Sequence, residues 1–148
     1  KYDSTVLYGL EAGKYRLALK TPKDQIINVE YTRDKSKKKA AYKKSKAIHL
    51  KSDIDSIYTS TEKAARWYKV SVSSTKKRKA VTLSKDSVGG GFKFCVYQKG
   101  KRLKTVKVTK NDKVKTVKLP KKKGAYYVKV TKLTSKTTGA YYLGTYTY

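Results

Sequence analysis

His49 and Cys95 are the only histidine and the only cysteine in the chain. A cysteine and a histidine can form a nucleophile and its base. The pair must lie within hydrogen-bond reach, with a third group orienting the base. His49, between Ile48 and Leu50, reads as an ordinary strand residue. Cys95, inside FKFCVYQ, reads as a small packed apolar side chain. Asp53 and Asp55 could each offer an oxygen to a hard cation, which needs several such ligands. Two carboxylates among lysines fall short of that, and loop capping is their commoner role. SVGGG at residues 87–91 has no following Lys-Ser/Thr and precedes a strand pattern rather than a helix, so it is not a phosphate loop. The expectation is a protein that is not an enzyme, with no catalytic residues, no metal site and no cofactor.

Charge is the strongest functional feature. The chain of 148 residues holds 38 Lys+Arg against 10 Asp+Glu, a formal charge of +28. Such a surface attracts polyanions. The candidate contacts are Lys37, Lys38, Lys39, Lys43 and Lys44 in one run and Lys121, Lys122 and Lys123 in another. Arg16, Arg33, Arg66, Arg78 and Arg102 are the only arginines. Lysine is a flexible point charge, whereas arginine offers the planar fork that suits base edges. The balance favours sequence-blind polyanion contact over base reading. Charge that serves only solubility is the competing explanation. Trp67 and Tyr127 add aromatic surface, and aromatics on a sheet face stack on sugars or bases. The other reading is that they are covered by the N-terminal strands.

These residues need strands to hold them. The chain has 14 tyrosines, two prolines and a hydrophobic fraction of 38%. High charge alone would suit disorder. Tyrosine- and valine-rich alternation instead suits a half-buried sheet. Side chains on a strand alternate faces. In residues 124–130, Tyr126, Val128 and Val130 form one row, and Tyr127 and Lys129 the other. Tyr68 and Val70 oppose Trp67 and Lys69. Phe92, Phe94 and Val96 oppose Lys93, Cys95 and Tyr97. The first of each pair of rows is the predicted core. Further strands are expected at residues 47–50, 79–83, 102–109 and 113–119, with a hairpin turn at residues 98–101. Short strands at near-regular spacing predict an all-β antiparallel sandwich. No apolar run is long enough to span a membrane.

The start of the chain copies its end. Aligning Thr5 with Thr116 also aligns Val6 with Val117, Gly13 with Gly124, Tyr15 with Tyr126, Leu17 with Val128 and Leu19 with Val130. This reads as a partial internal repeat. Strands are expected at residues 5–8, 14–20 and 25–31. The expected organisation is a docked strand segment at residues 1–31, a Lys-rich linker at 32–46 and a sandwich module at 47–148. In the run at residues 33–46 like charges repel, so an exposed connector or frayed helix is expected, with a nucleic-acid-binding arm as the sharper reading. A chain that opens on Lys1 and lacks methionine reads as part of a processed product.

Trp67-Tyr68-Lys69-Val70, then Phe92 to Gly100, then Gly124-Ala125-Tyr126-Tyr127-Val128-Lys129-Val130 and Gly139-Ala140-Tyr141-Tyr142-Leu143 follow in an order that resembles the bacterial pre-peptidase C-terminal domain family. The resemblance covers residues 32–148. It implies a jelly-roll-like β-sandwich of a secreted or cell-surface protein, acting as a non-catalytic appendage. Some relatives bind collagen or glycans, and some bind calcium. Here Ala65 and Arg66 precede the aromatic pair and Lys93 lies inside the Phe strand, where the family often has acidic residues. A calcium site is therefore not carried over. The expected partners are anionic polymers such as teichoic acid and acidic glycans. Sequence-nonspecific nucleic-acid binding is the rival function.

Overall fold

The computed structural model describes residues 14–18, 20, 23, 26–27, 29, 40–51, 57–60, 65–85, 90–135, 137 and 140–148. Among the described residues nine strands form two sheets. They are β1 (Ile48–Leu50), β2 (Ile57–Ser60), β3 (Arg66–Val72), β4 (Lys79–Ser84), β5 (Phe92–Gln98), β6 (Lys101–Val108), β7 (Val114–Lys118), β8 (Gly124–Lys132) and β9 (Ala140–Thr147). One sheet has the order β1-β3-β8-β5-β6 and the other β2-β9-β4-β7. From β2 to β9 the chain winds between the sheets as a jelly roll. Strand β1 is added beside β3 and runs parallel to it, whereas the other pairs are antiparallel.

Alternation builds the core. Tyr68, Val70, Phe92, Phe94, Val96, Tyr126, Val128 and Val130, the predicted inward rows, are all buried. Val81, Leu83, Val117, Tyr141 and Leu143 complete the cluster from the opposite sheet. The sheets are tied together inside it. The Tyr68 and Tyr141 hydroxyls hydrogen-bond at 2.7 Å, and the Tyr141 ring meets Phe92 edge-on at 4.9 Å between centroids. Tyr126 reaches past the core to donate to the Lys122 carbonyl at 2.9 Å, fixing the turn before β8.

The turns follow from local chemistry. Lys99 and Gly100 both take positive φ, 46° and 80°. This is the geometry of a two-residue hairpin turn whose twist matches its strands. SVGGG ends in a tight crossing, since a Cβ on Gly91 would lie 2.3 Å from the Val108 carbonyl oxygen. The Gly91 carbonyl accepts from Leu133 N–H at 2.9 Å and from the Thr137 hydroxyl at 3.0 Å. The glycine at position 91 serves this close packing.

Two expectations change. Residues 14–18 form no strand, and Tyr15 and Leu17 are 56% and 65% exposed. Among the described residues no strand pairs with them. Described positions 26, 27 and 29 likewise lie outside any strand. Residues 5–8, and most of residues 1–39, fall outside the described residues. Cys95 lies on the outer row of β5, as expected, and is 6% exposed, as a small packed apolar side chain. Its side chain is short and its neighbours in the row, Lys129 and Thr105, are longer or branched. Strand β2 lies in a polar stretch that gave no strand signal.

Candidate polyanion-binding face

The outer rows of β3, β8 and β5 lie side by side and bring three aromatic rings together. Register places Trp67 beside Lys129 and Lys129 beside Cys95. In the next row His49, Lys69, Tyr127 and Tyr97 follow in order across β1, β3, β8 and β5. Trp67 reaches diagonally to Tyr97, with ring centroids 5.5 Å apart. All three rings are half-buried. Each therefore keeps part of its surface available while its position is fixed.

Cations interleave with the rings. The Lys129 ammonium lies 5.6 Å from the Trp67 ring centre, and the Lys44 ammonium 4.7 Å from that of Tyr127. Lys44 arrives from a short 3-10 turn, Lys44–Lys46. The segment before it is anchored. Ala41 is buried, its carbonyl accepts from Trp67 N–H at 2.8 Å, and Arg66 stands 5.8 Å from the Tyr42 ring centre. Residues 40–46 thus lie against the sandwich. The cover on Tyr127 comes from Lys44, which leaves an ammonium at the surface.

The predicted lysines divide into three groups. Lys37, Lys38 and Lys39 fall outside the described residues, as do Asp53 and Asp55. Lys43 is exposed, and Lys44 is half-buried on Tyr127. Lys121, Lys122 and Lys123 are exposed in the turn before β8. Gly124 and Tyr127 are three residues apart on β8, roughly 10 Å along the strand. That turn therefore flanks one end of the aromatic group. Lys69, Lys129 and Tyr97 were missing from the predicted site. Alternation alone put them on outer rows, but only the strand order brings them beside Trp67 and Tyr127.

The described side chains of this face that carry charge are cationic. Among the described residues Asp112 is the only side-chain carboxylate. It is consumed in the β6–β7 turn, accepting from Thr109 N–H at 2.9 Å and Thr109 hydroxyl at 2.7 Å and pairing with Lys115 at 2.7 Å. The Lys115 contact and the Thr109 donors hold its carboxyl well below the usual carboxylate range. Burial, and then the neighbouring Cys95, pushes the Tyr97 phenol up, so the ring group stays neutral.

The cysteine and histidine do not meet. His49 on β1 is exposed, and its Nε2 lies 3.0 Å from the Ser71 hydroxyl. Cys95 on β5 is three strands away, roughly 14 Å at the usual strand spacing. Its Sγ lies 3.4 Å from the Thr105 hydroxyl. Among the described residues no three His, Cys, Asp or Glu side chains converge as metal ligands. No described helix is long and apolar enough to cross a membrane. No protein-family model matches the chain, and no curated protein matches it.

Proposed function

We propose that this chain is a non-catalytic module that tethers or positions a larger protein by holding anionic polymers on the outer face of its five-stranded sheet. The observation that carries this reading is the interleaving of Lys44 and Lys129 with Tyr127, Trp67 and Tyr97. An acidic glycan offers anionic groups to the ammoniums and C–H faces to the rings. The resemblance to pre-peptidase C-terminal domains supports the same role and a bacterial secreted or cell-surface setting. Teichoic acids and acidic glycans are the polyanions of that setting.

Nucleic acid is the second reading, and the same rings favour it, because single strands stack bases on aromatics within a basic groove. The scarcity of arginine weighs against base-specific contact. Binding of heparin, purified teichoic acid and single-stranded DNA separates the two. The first reading expects heparin or teichoic acid to bind and the Lys44→Ala/Lys69→Ala/Lys129→Ala variant to weaken binding. Binding confined to DNA and lost in Trp67→Ala/Tyr127→Ala would establish the second. Absence of binding to all three polymers would remove both.

A further inference from the structure

We propose that the outer face of the four-stranded sheet carries a second binding site, a groove for a short neutral oligosaccharide, floored by Gly144 and walled by Tyr142 and Tyr146. A shallow concavity of about 310 Å³ opens there, lined also by Thr82, Ser84 and Thr116. That volume is at the small end of ligand sites.

Gly144 is the informative residue. Glycine inside a strand weakens it, and its usual justifications are a bulge, a bend or close approach of a ligand or another backbone. The β4–β9 register runs without a break from Lys79 opposite Thr147 to Ser84 opposite Tyr142, so no bulge is present. Positive φ falls on Gly90, Gly100 and Gly124, and not on Gly144. The backbone therefore does not demand glycine here. Close approach fits the concavity, which Gly144 lines together with the two tyrosines.

The lining selects the ligand class. Thr82 stands opposite Gly144, and Thr116 opposite Thr82. The two threonine hydroxyls hydrogen-bond at 3.0 Å, and each hydroxyl has one donor and two acceptor sites, so capacity is left over. None of the described residues that line the groove is charged, on a chain of formal charge +28. A polyanion would find no counter-charge among them. A neutral sugar matches it with C–H faces for the rings and hydroxyls for Thr82, Ser84 and Thr116. Tyr146 is already held by Tyr148 at 5.8 Å, and Tyr148 by the Lys118 ammonium at 5.2 Å. Holding the wall in place lowers the ordering cost of binding. This site is independent of the polyanion face on the other sheet.

The test is an NMR titration of the full chain with cellohexaose and with chitohexaose. It is run in about 1 M sodium chloride, where the Debye length is about 3 Å and charge pairing is screened. Saturable shifts at the Gly144 amide and the Tyr146 ring with either hexamer are expected. Gly144→Val fills the groove, and Tyr146→Ala removes one wall. Each should weaken binding about tenfold or more, on the scale of one lost stacking contact. Heparin affinity at low salt should not change in either variant. Should Gly144→Val fail to fold by circular dichroism, Tyr146→Ala and Thr116→Val decide. No shift at Gly144 with either hexamer, or shifts that persist unchanged in the folded variants, would overturn the site.

Discussion

The two outer faces of the sandwich carry aromatics on opposite principles. On the five-stranded sheet, β3 and β8 alternate apolar residues with Trp67, Lys69, Tyr127 and Lys129, and each ring acquires a cation. On the four-stranded sheet, β9 alternates Tyr141 and Leu143 with Tyr142, Gly144 and Tyr146, across from Thr82 and Ser84. One face pairs its rings with cations; on the other, Tyr142 and Tyr146 lie beside hydroxyls and a gap, and a cation, Lys118, stands over Tyr148 at the end of the row. The inward rows are equivalent and build one core. The same alternation thus supplies a common interior, while the outward residues are free to differ because burial does not constrain them.

The largest expected effect comes from violating the shared interior. Val128→Asp buries an unpaired carboxylate, at a cost of several kcal/mol in order of magnitude. Lys129→Asp, one residue on and on the outer row, should stay folded. Thermal melts followed by circular dichroism separate them. Equal melting temperatures for the two variants would mean that the faces are wrongly assigned.

The link between the sheets comes next. Tyr68→Phe removes one partner of the hydroxyl pair with Tyr141 and should lower stability by about 1 kcal/mol. Combining it with Tyr141→Phe in a double-mutant cycle should show coupling. Urea denaturation provides the values, and strict additivity would contradict the bond.

A smaller effect is expected at the β6–β7 turn, where the chain passes from one sheet to the other. Asp112 is held ionised below its ordinary range by Lys115 and Thr109. A depressed carboxyl pKa contributes stability that is present above the unfolded value, about 3.9, and lost as pH falls through the folded value. Asp112→Asn should therefore lower the melting temperature at neutral pH. The gap to wild type should close only in strong acid. A gap that closes near pH 6 would point to a different group.

Much of this fold is legible in the sequence, and the limits have physical causes. Strong alternation in residues 66–72, 92–98 and 124–132 placed the predicted core residues on the buried face. Strand β2 was missed because Ile57-Tyr58-Thr59-Ser60 sits in a polar stretch and, among the described residues, pairs with β9 alone. Residues 14–18 carry the same alternation as β8 but form no strand. A period of two needs a partner strand as well as a pattern, and none pairs with them among the described residues. Trp67 and Tyr127 could be named as outward, yet Tyr97 and Lys129 joined them only through strand order, which alternation does not encode. Cys95 and Ala80 show that an outer row can still be buried when long neighbours close over a small side chain.

The smallest effect separates the faces most cleanly. Lys44→Ala removes the ammonium over Tyr127, and Lys118→Ala the one over Tyr148. Each should cost about 0.5–1 kcal/mol of stability, the range of an exposed cation–π contact. Heparin affinity should fall in the Lys44 variant more than in the Lys118 variant. Equal losses would mean that the polymer reads total charge and not the aromatic face.

Heparin affinity measured across a series of sodium chloride concentrations decides whether charge is the basis of binding. Counterion release makes the logarithm of affinity fall linearly with the logarithm of salt, in proportion to the charges neutralised. Wild type should give a steep line, and Lys44→Ala/Lys69→Ala/Lys129→Ala a shallower one, with the slope reduced by roughly one for each lysine engaged. A flat response in wild type would contradict a charge-based tether on this face.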